Sequence, residues 1–170
     1  MTNEWRGRFL EDLVVGDVYR SRLGRTITET DNTWFTCLTM NTNQMHFNRE
    51  FARQTEFGAT LVVSSLTLAI VLGLSVADTS ENAVANLGWT DILLPKPVFA
   101  GDTVWAESEV RAARESKSRP ACGVVSVRTR GINQRGEVVI EFARSFMVFK
   151  REAAEVQSVF PIVDAPWSVT

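Results

Sequence analysis

The only histidine of the chain, His46, closes the run Thr39-Met40-Asn41-Thr42-Asn43-Gln44-Met45-His46, a polar loop between two stretches that read as helix. Imidazole titrates near neutrality, so a histidine in such a loop is the natural proton carrier of a catalytic site. The plain alternative is a surface or hydrogen-bonded structural histidine. Asn41 and Asn43 precede it. An amide cannot exchange a proton near neutral pH, but it can orient a water through its oxygen and its NH2 group. Asparagine equally tolerates left-handed backbone and builds turns.

Three further groups can do chemistry. Ser64 opens a long apolar stretch, where a helix leaves backbone N–H groups free and presents the positive end of its dipole. The serine can also be a simple N-cap. The segment Ser116-Lys117-Ser118-Arg119 is either a solvated charged turn or a site for a phosphate or carboxylate, which the arginine fork matches in bidentate fashion. Asp102 reads as part of a structural turn. Cys37 and Cys122 with one histidine are too few soft ligands for a structural zinc site, and no carboxylate cluster proposes another metal.

These residues need a scaffold. Short strands are expected over Val18–Arg22 and Arg25–Thr28, around Gly24. Thr28 and Asp31 have capping-box spacing, Thr30 is an alternative N-cap, and either starts a helix through Trp34, Phe35, Leu38 and Thr39, with Trp34, Phe35 and Leu38 spaced as one buried face. Asn48 caps a short helix over Arg49–Thr55 with Phe51 and Ala52 turned inward. A long helix spans about Ser64 to Ala77 and is apolar almost all round, which predicts a helix enclosed by other elements. Strands follow at Ala83–Trp89, Asp91–Leu94, Thr103–Ala113, Gly123–Asn133 and Val138–Lys150. Long strands joined by short turns make an antiparallel sheet. One apolar helix before such a sheet predicts an α+β fold, a curved sheet wrapped around the helix.

The 170 residues suit a single domain over residues 1–150, with residues 151–170 as an arm or tail. The net charge is −2 with both signs interspersed, so no basic face for nucleic acid is expected. The two scattered cysteines point to a reducing, cytoplasmic setting. The first residues carry no apolar run of a signal peptide, and the stretch Leu66–Val76 is too short to span a membrane.

The element order and the His46 loop resemble the MaoC-like hydratases, the (R)-specific enoyl-CoA hydratases and acyl dehydratases with the hot-dog fold. The resemblance covers about Phe9 to Lys150. The family motif is Gly-Asp-x-Asn-Pro-x-His. His46 matches its histidine and Asn43 its asparagine, whereas Met40 replaces the glycine, Asn41 the catalytic aspartate and Gln44 the proline. Phe57-Gly58 and Ala100-Gly101-Asp102-Thr103 also resemble family features. Asn41-Thr42-Asn43, Asn86-Leu87-Gly88-Trp89 and the segment Glu115 to Pro120 look like the branch acting on mesaconyl-type, branched dicarboxylic thioesters.

The resemblance implies hydration of an enoyl-CoA, with His46 and Asn41 as catalytic residues and the Ser64 amide on the thioester oxygen. Asn43, Lys117 and Arg119 then contact substrate. It implies no cofactor, since the CoA thioester is itself the substrate, and it implies a homodimer. Either His46 carries the acid–base work while Asn41 orients water, or the site has lost hydration activity. Competing readings are a hot-dog thioesterase, disfavoured by the absence of a carboxylate between Asn41 and His46, and a non-catalytic acyl-CoA-binding subunit.

Overall fold

Three strands alternate between buried and solvent-facing residues and form the body of a sheet. The computed structural model describes residues 6–153 together with Pro161 and Val163, so the proposed C-terminal arm lies almost wholly outside the described residues. Strands β1 (Val18–Arg20) and β2 (Arg25–Thr26) are followed by helices α1 (Glu29–Leu38), α2 (Arg49–Ala52) and α3 (Ser64–Thr79). Then come β3 (Ala83–Leu93), β4 (Thr103–Glu115), β5 (Cys122–Asn133) and β6 (Val138–Phe149). All pairings are antiparallel in the order β1-β4-β5-β6-β3, with β2 beside the start of β4. This is the curved-sheet α+β arrangement expected from the sequence, and it is the hot-dog fold.

The period of two sets the sheet's inner face. Val104, Ala106, Ser108 and Val110 of β4 are buried, as are Val125, Val127 and Thr129 of β5 and Phe142, Arg144, Phe146 and Val148 of β6. The two buried hydroxyls, Ser108 and Thr129, satisfy each other at 2.8 Å. Helix α3 lies on this face, with Val71 against Val104, Ile140 and Phe142. Gly131 makes that seat possible: a Cβ there would stand 2.6 Å from a Val71 methyl. Gly24 plays the same part for Trp105, whose ring would lie 2.2 Å from an added Cβ.

The turn at Asp102 is a latch. Its carboxylate accepts from the Phe99 amide at 3.0 Å, Gln134 Nε2 at 2.6 Å and Arg135 Nη1 at 2.9 Å. Burial alone would raise this carboxyl, but Arg135, the Phe99 amide and Gln134 outweigh it and hold it below its ordinary range.

Several sequence expectations need correction. The capping box of α1 is present: Asp31 N donates to Thr28 Oγ1 at 3.1 Å and Thr28 N to Asp31 Oδ2 at 2.8 Å. Yet Trp34 and Leu38 are 65% and 74% exposed, and the buried positions of α1 are Asn32 and Thr36. Helix α2 ends at Ala52, and Phe51 is exposed while Ala52 is buried. The two strands expected between Ala83 and Leu94 are one strand with register shifts, Asp91 taking φ 53° within it. Helix α3 is not enclosed by the described residues. Ala69, Gly73 and Ala77 form an exposed stripe, because one sheet covers only one side of a helix.

Candidate active site

The site begins with a chain of turns. Met40 leaves α1 at φ 54°, a left-handed conformation in which glycine is the usual residue. That geometry accounts for the glycine of the motif at this position. Asn41 N donates to Thr36 O at 2.9 Å, and Asn41 Oδ1 accepts from Asn43 N at 3.0 Å. Asn43 Oδ1 in turn accepts from Met45 N at 3.1 Å and caps the 3-10 turn Gln44–His46. Both amides therefore shape the turn, with one side-chain oxygen each. Their NH2 groups make no hydrogen bond among the described residues.

His46 is half-buried, and its Nδ1 lies 2.9 Å from the carbonyl oxygen of Leu61. A carbonyl only accepts, so Nδ1 carries the proton and the Nε2 lone pair is left free. The backbone itself thus selects the tautomer needed for a general base.

Asn32 holds this arrangement and is the residue sequence reasoning missed. Its side chain is buried, 2% exposed. Nδ2 donates to His46 O and to Leu61 O, both at 2.8 Å, and Oδ1 accepts from Val63 N at 2.9 Å. One amide therefore ties α1 to the histidine's backbone, to the carbonyl that orients its ring, and to the N-cap of α3. Leu61 is fixed from the other side by its bridge to Phe99, and Val62 N donates to Val98 O at 2.8 Å. The signal in the sequence was an asparagine inside a helix, a poor place for it unless its side chain has partners.

Ser64 is the first residue of α3. Its amide and that of Ser65 make no hydrogen bond among the described residues, and they stand at the positive end of a helix about 24 Å long. Through Asn32 this helix start is coupled to His46.

Lys117 and Arg119 are not brought to this site within one chain. They lie in the turn after β4, whose start adjoins Phe99 and hence Leu61. The thirteen residues of β4 separate the two ends, on the order of 40 Å of strand if straight. Residue spacing in a sequence does not reveal at which end of a long strand a turn falls.

A cavity of about 200 Å3 opens beside His46, lined also by Glu29, Asn32, Thr33 and Arg49. A larger groove of about 910 Å3 runs along the exposed stripe of α3, near Leu23, Ile70 and Leu74. The smaller cavity is lined by the His46 ring, and among the described residues lining the larger groove only Asp78 could accept a proton from water. Among the described residues no cluster of three or more His, Cys, Asp or Glu is placed to hold a metal. No described helix is long and apolar enough to cross a membrane.

The sheet, the central helix and the histidine loop define a hot-dog domain of the MaoC-like class. The MaoC-like dehydratase from Rhodospirillum rubrum superposes with a TM-score of 0.75 at 32% identity, covering 85% of this chain and 99% of that one. A model of the mesaconyl-CoA hydratase family matches residues 1–159, and the chain belongs to that family. It is 40% identical over 148 residues to mesaconyl-CoA hydratase of Cereibacter sphaeroides, 87% of this chain and 43% of that protein. It is 36% identical over 165 residues to β-methylmalyl-CoA dehydratase of Chloroflexus aurantiacus, 96% of this chain and 46% of that protein. The chain spans about half the length of these curated relatives.

Proposed function

We propose that this domain adds water across the double bond of an enoyl-CoA thioester, with a branched dicarboxylic acyl group of mesaconyl type as substrate. The observation that carries the reading is the Leu61 carbonyl on His46 Nδ1, which leaves Nε2 as a base. Family membership and the names of the two relatives point to the same reaction and acyl group.

In the proposed reaction His46 Nε2 takes a proton from water as its oxygen bonds to C3. The π electrons move toward C2 and the thioester oxygen, where negative charge develops. The Ser64 amide at the head of α3 is the donor proposed for that oxygen. The imidazolium then returns its proton to C2, so a single titrating group serves both half-reactions. Asn41, with its NH2 free, positions the water and moves no proton.

One observation favours a second reading. Glu29 lines the same cavity, so a carboxylate is available to direct water at the thioester carbonyl, as a thioesterase requires. Assays with mesaconyl-CoA and crotonyl-CoA separate the two. Loss of enoyl absorbance without free thiol is the expected result, and free thiol without hydration would establish hydrolysis instead. Binding without turnover would mark a non-catalytic acyl-CoA-binding subunit.

We also propose a homodimer in a cytoplasmic setting. Among the described residues strand β3 ends the sheet with an unpaired edge of eleven residues carrying exposed Leu87, Trp89 and Leu93, an edge that invites pairing. Cys37 and Cys122 are both free thiols. Light scattering at micromolar concentration is expected to give twice the chain mass, and a fully active monomer would contradict it.

A further inference from the structure

We infer that Arg49 anchors the free carboxylate of the acyl group and that Glu29, its ion-pair partner, competes with that carboxylate. The inference rests on the hydratase reading for the identity of the acyl group, and it assigns the part of the site that recognises it.

Geometry limits where such an anchor can lie. In a mesaconyl-type acyl group the free carboxylate is attached to C3, the carbon that water attacks. The carboxylate carbon is one single bond, about 1.5 Å, from that carbon. Whatever binds it must share a cavity with the base that activates the water. Lys117 and Arg119 fail this condition within one chain. Arg49 meets it, because it lines the cavity of about 200 Å3 beside His46, and it is the only cation among the described residues that does so.

The state of Arg49 fits the role. It is the first residue of α2 and pairs through Nη2 with Glu29, the first residue of α1, so the pair spans two elements at the cavity. Both side chains are more than half exposed. An exposed pair of this kind adds little to stability and exchanges partners readily. A guanidinium offers five donors in a planar fork, so a substrate carboxylate can displace Glu29 or bind beside it. Glu29 has a second effect. By presenting a negative charge next to the anchor, it weakens carboxylate binding until the pair opens. A neutral acyl group gains nothing from Arg49 in either case.

The test compares two saturated ligands that cannot react, methylsuccinyl-CoA with a carboxylate and 2-methylbutyryl-CoA without one, by calorimetry on the full chain. The wild type is expected to bind the carboxylate ligand more tightly by roughly ten- to hundredfold, the scale of a charge-assisted pair. R49Q should remove that preference by weakening methylsuccinyl-CoA alone, and E29Q should tighten methylsuccinyl-CoA several-fold without changing 2-methylbutyryl-CoA. A wild type without preference, an R49Q variant that keeps it, or a wild type that binds neither ligand would overturn the assignment. If the preference depends on Arg49 but mesaconyl-CoA is not hydrated, the hydratase reading fails and the anchor stands.

Discussion

Asn32 and His46 are joined through backbone: the buried amide of Asn32 donates to the His46 carbonyl at 2.8 Å, and both side chains converge on the single carbonyl oxygen of Leu61. The ring's tautomer, the loop's position and the start of α3 thus depend on one side chain. Replacing Asn32 by Leu keeps the branching of its side chain, with a larger volume, and removes its three hydrogen bonds. Leu61 O keeps the His46 ring, while His46 O and Val63 N lose their partner at a cost of about 1–3 kcal/mol each, less whatever relaxation restores. We predict that Asn32→Leu lowers stability by about 2–4 kcal/mol, read by denaturant unfolding. At a temperature where the variant is folded, we predict that kcat falls at least tenfold, because the base is misaimed. A folded variant with unchanged kcat would show that Asn32 is structural only.

The sheet is readable in the residues because alternation in β4, β5 and β6 is a local property, and the start of α1 is readable because Thr28 and Asp31 are three residues apart. The buried face of α1 is not. A hydrophobic pattern assigns it to Trp34 and Leu38 and excludes Asn32, since a buried amide has the polarity of a surface residue. The Leu61 carbonyl is a backbone atom that no residue type announces. Arg49 reads as an ordinary helix-surface cation until α1 and α2 are seen to meet over the histidine. The site's chemistry was visible at His46, and its scaffold was hidden in contacts between residues 14 to 31 positions apart.

Acid stability should follow two carboxylates. The Thr28 backbone amide, aided by the Thr28 hydroxyl and Arg25, holds Asp31 below its ordinary value, and the Asp102 latch does the same. A carboxyl depressed by folding contributes stability that is fully present above its unfolded value, near 4, and is lost as pH falls through its folded value. We predict a plateau of unfolding free energy above about pH 5 and a decline below about pH 4. Asp102→Asn should lower the plateau by about 2 kcal/mol, the scale of hydrogen bonds to a charged group, and make the acid decline shallower. A parallel decline in wild type and variant would exclude Asp102 as a source of it.

Arg144 presents the opposite case. Burial beneath the end of α3 pushes its guanidinium down to about 10. Nη2 donates to Thr79 Oγ1 at 3.1 Å and Ser80 Oγ at 3.0 Å, Nε has no partner among the described residues, and the group lies 4.7 Å from the Phe146 ring centroid. Because folding depresses this cation, its charge opposes folding at neutral pH, and the opposition is relieved as pH rises through about 10. We predict that Arg144→Met is neutral or stabilising by about 1–3 kcal/mol, since a flexible apolar chain fills the space without a buried charge. Arg144→Ala should destabilise by about 2 kcal/mol or more by leaving a cavity. Thermal unfolding of both variants measures this, and a large loss of stability in Arg144→Met would mean that the charge is compensated.

Asn41 separates turn-building from catalysis. Its Oδ1 accepts from Asn43 N at 3.0 Å, a bond that a carboxylate can also accept and an alanine cannot. Asn41→Asp should therefore preserve the loop, whereas Asn41→Ala should loosen it at a cost of about 1 kcal/mol. If the NH2 group holds the attacking water, Asn41→Asp retains measurable hydration with a lower kcat, because the donor is lost and a carboxyl takes its place. Asn41→Ala should lower kcat further. His46→Ala should lower it by about 10²–10⁴-fold, the scale of a general acid–base group. The pH–rate profile distinguishes the roles. The acid limb should persist in Asn41→Ala, where His46 remains, and vanish in His46→Ala. A limb unchanged in His46→Ala but displaced in Asn41→Ala would place the base elsewhere, and Glu29, in the same cavity, would be the first residue to replace.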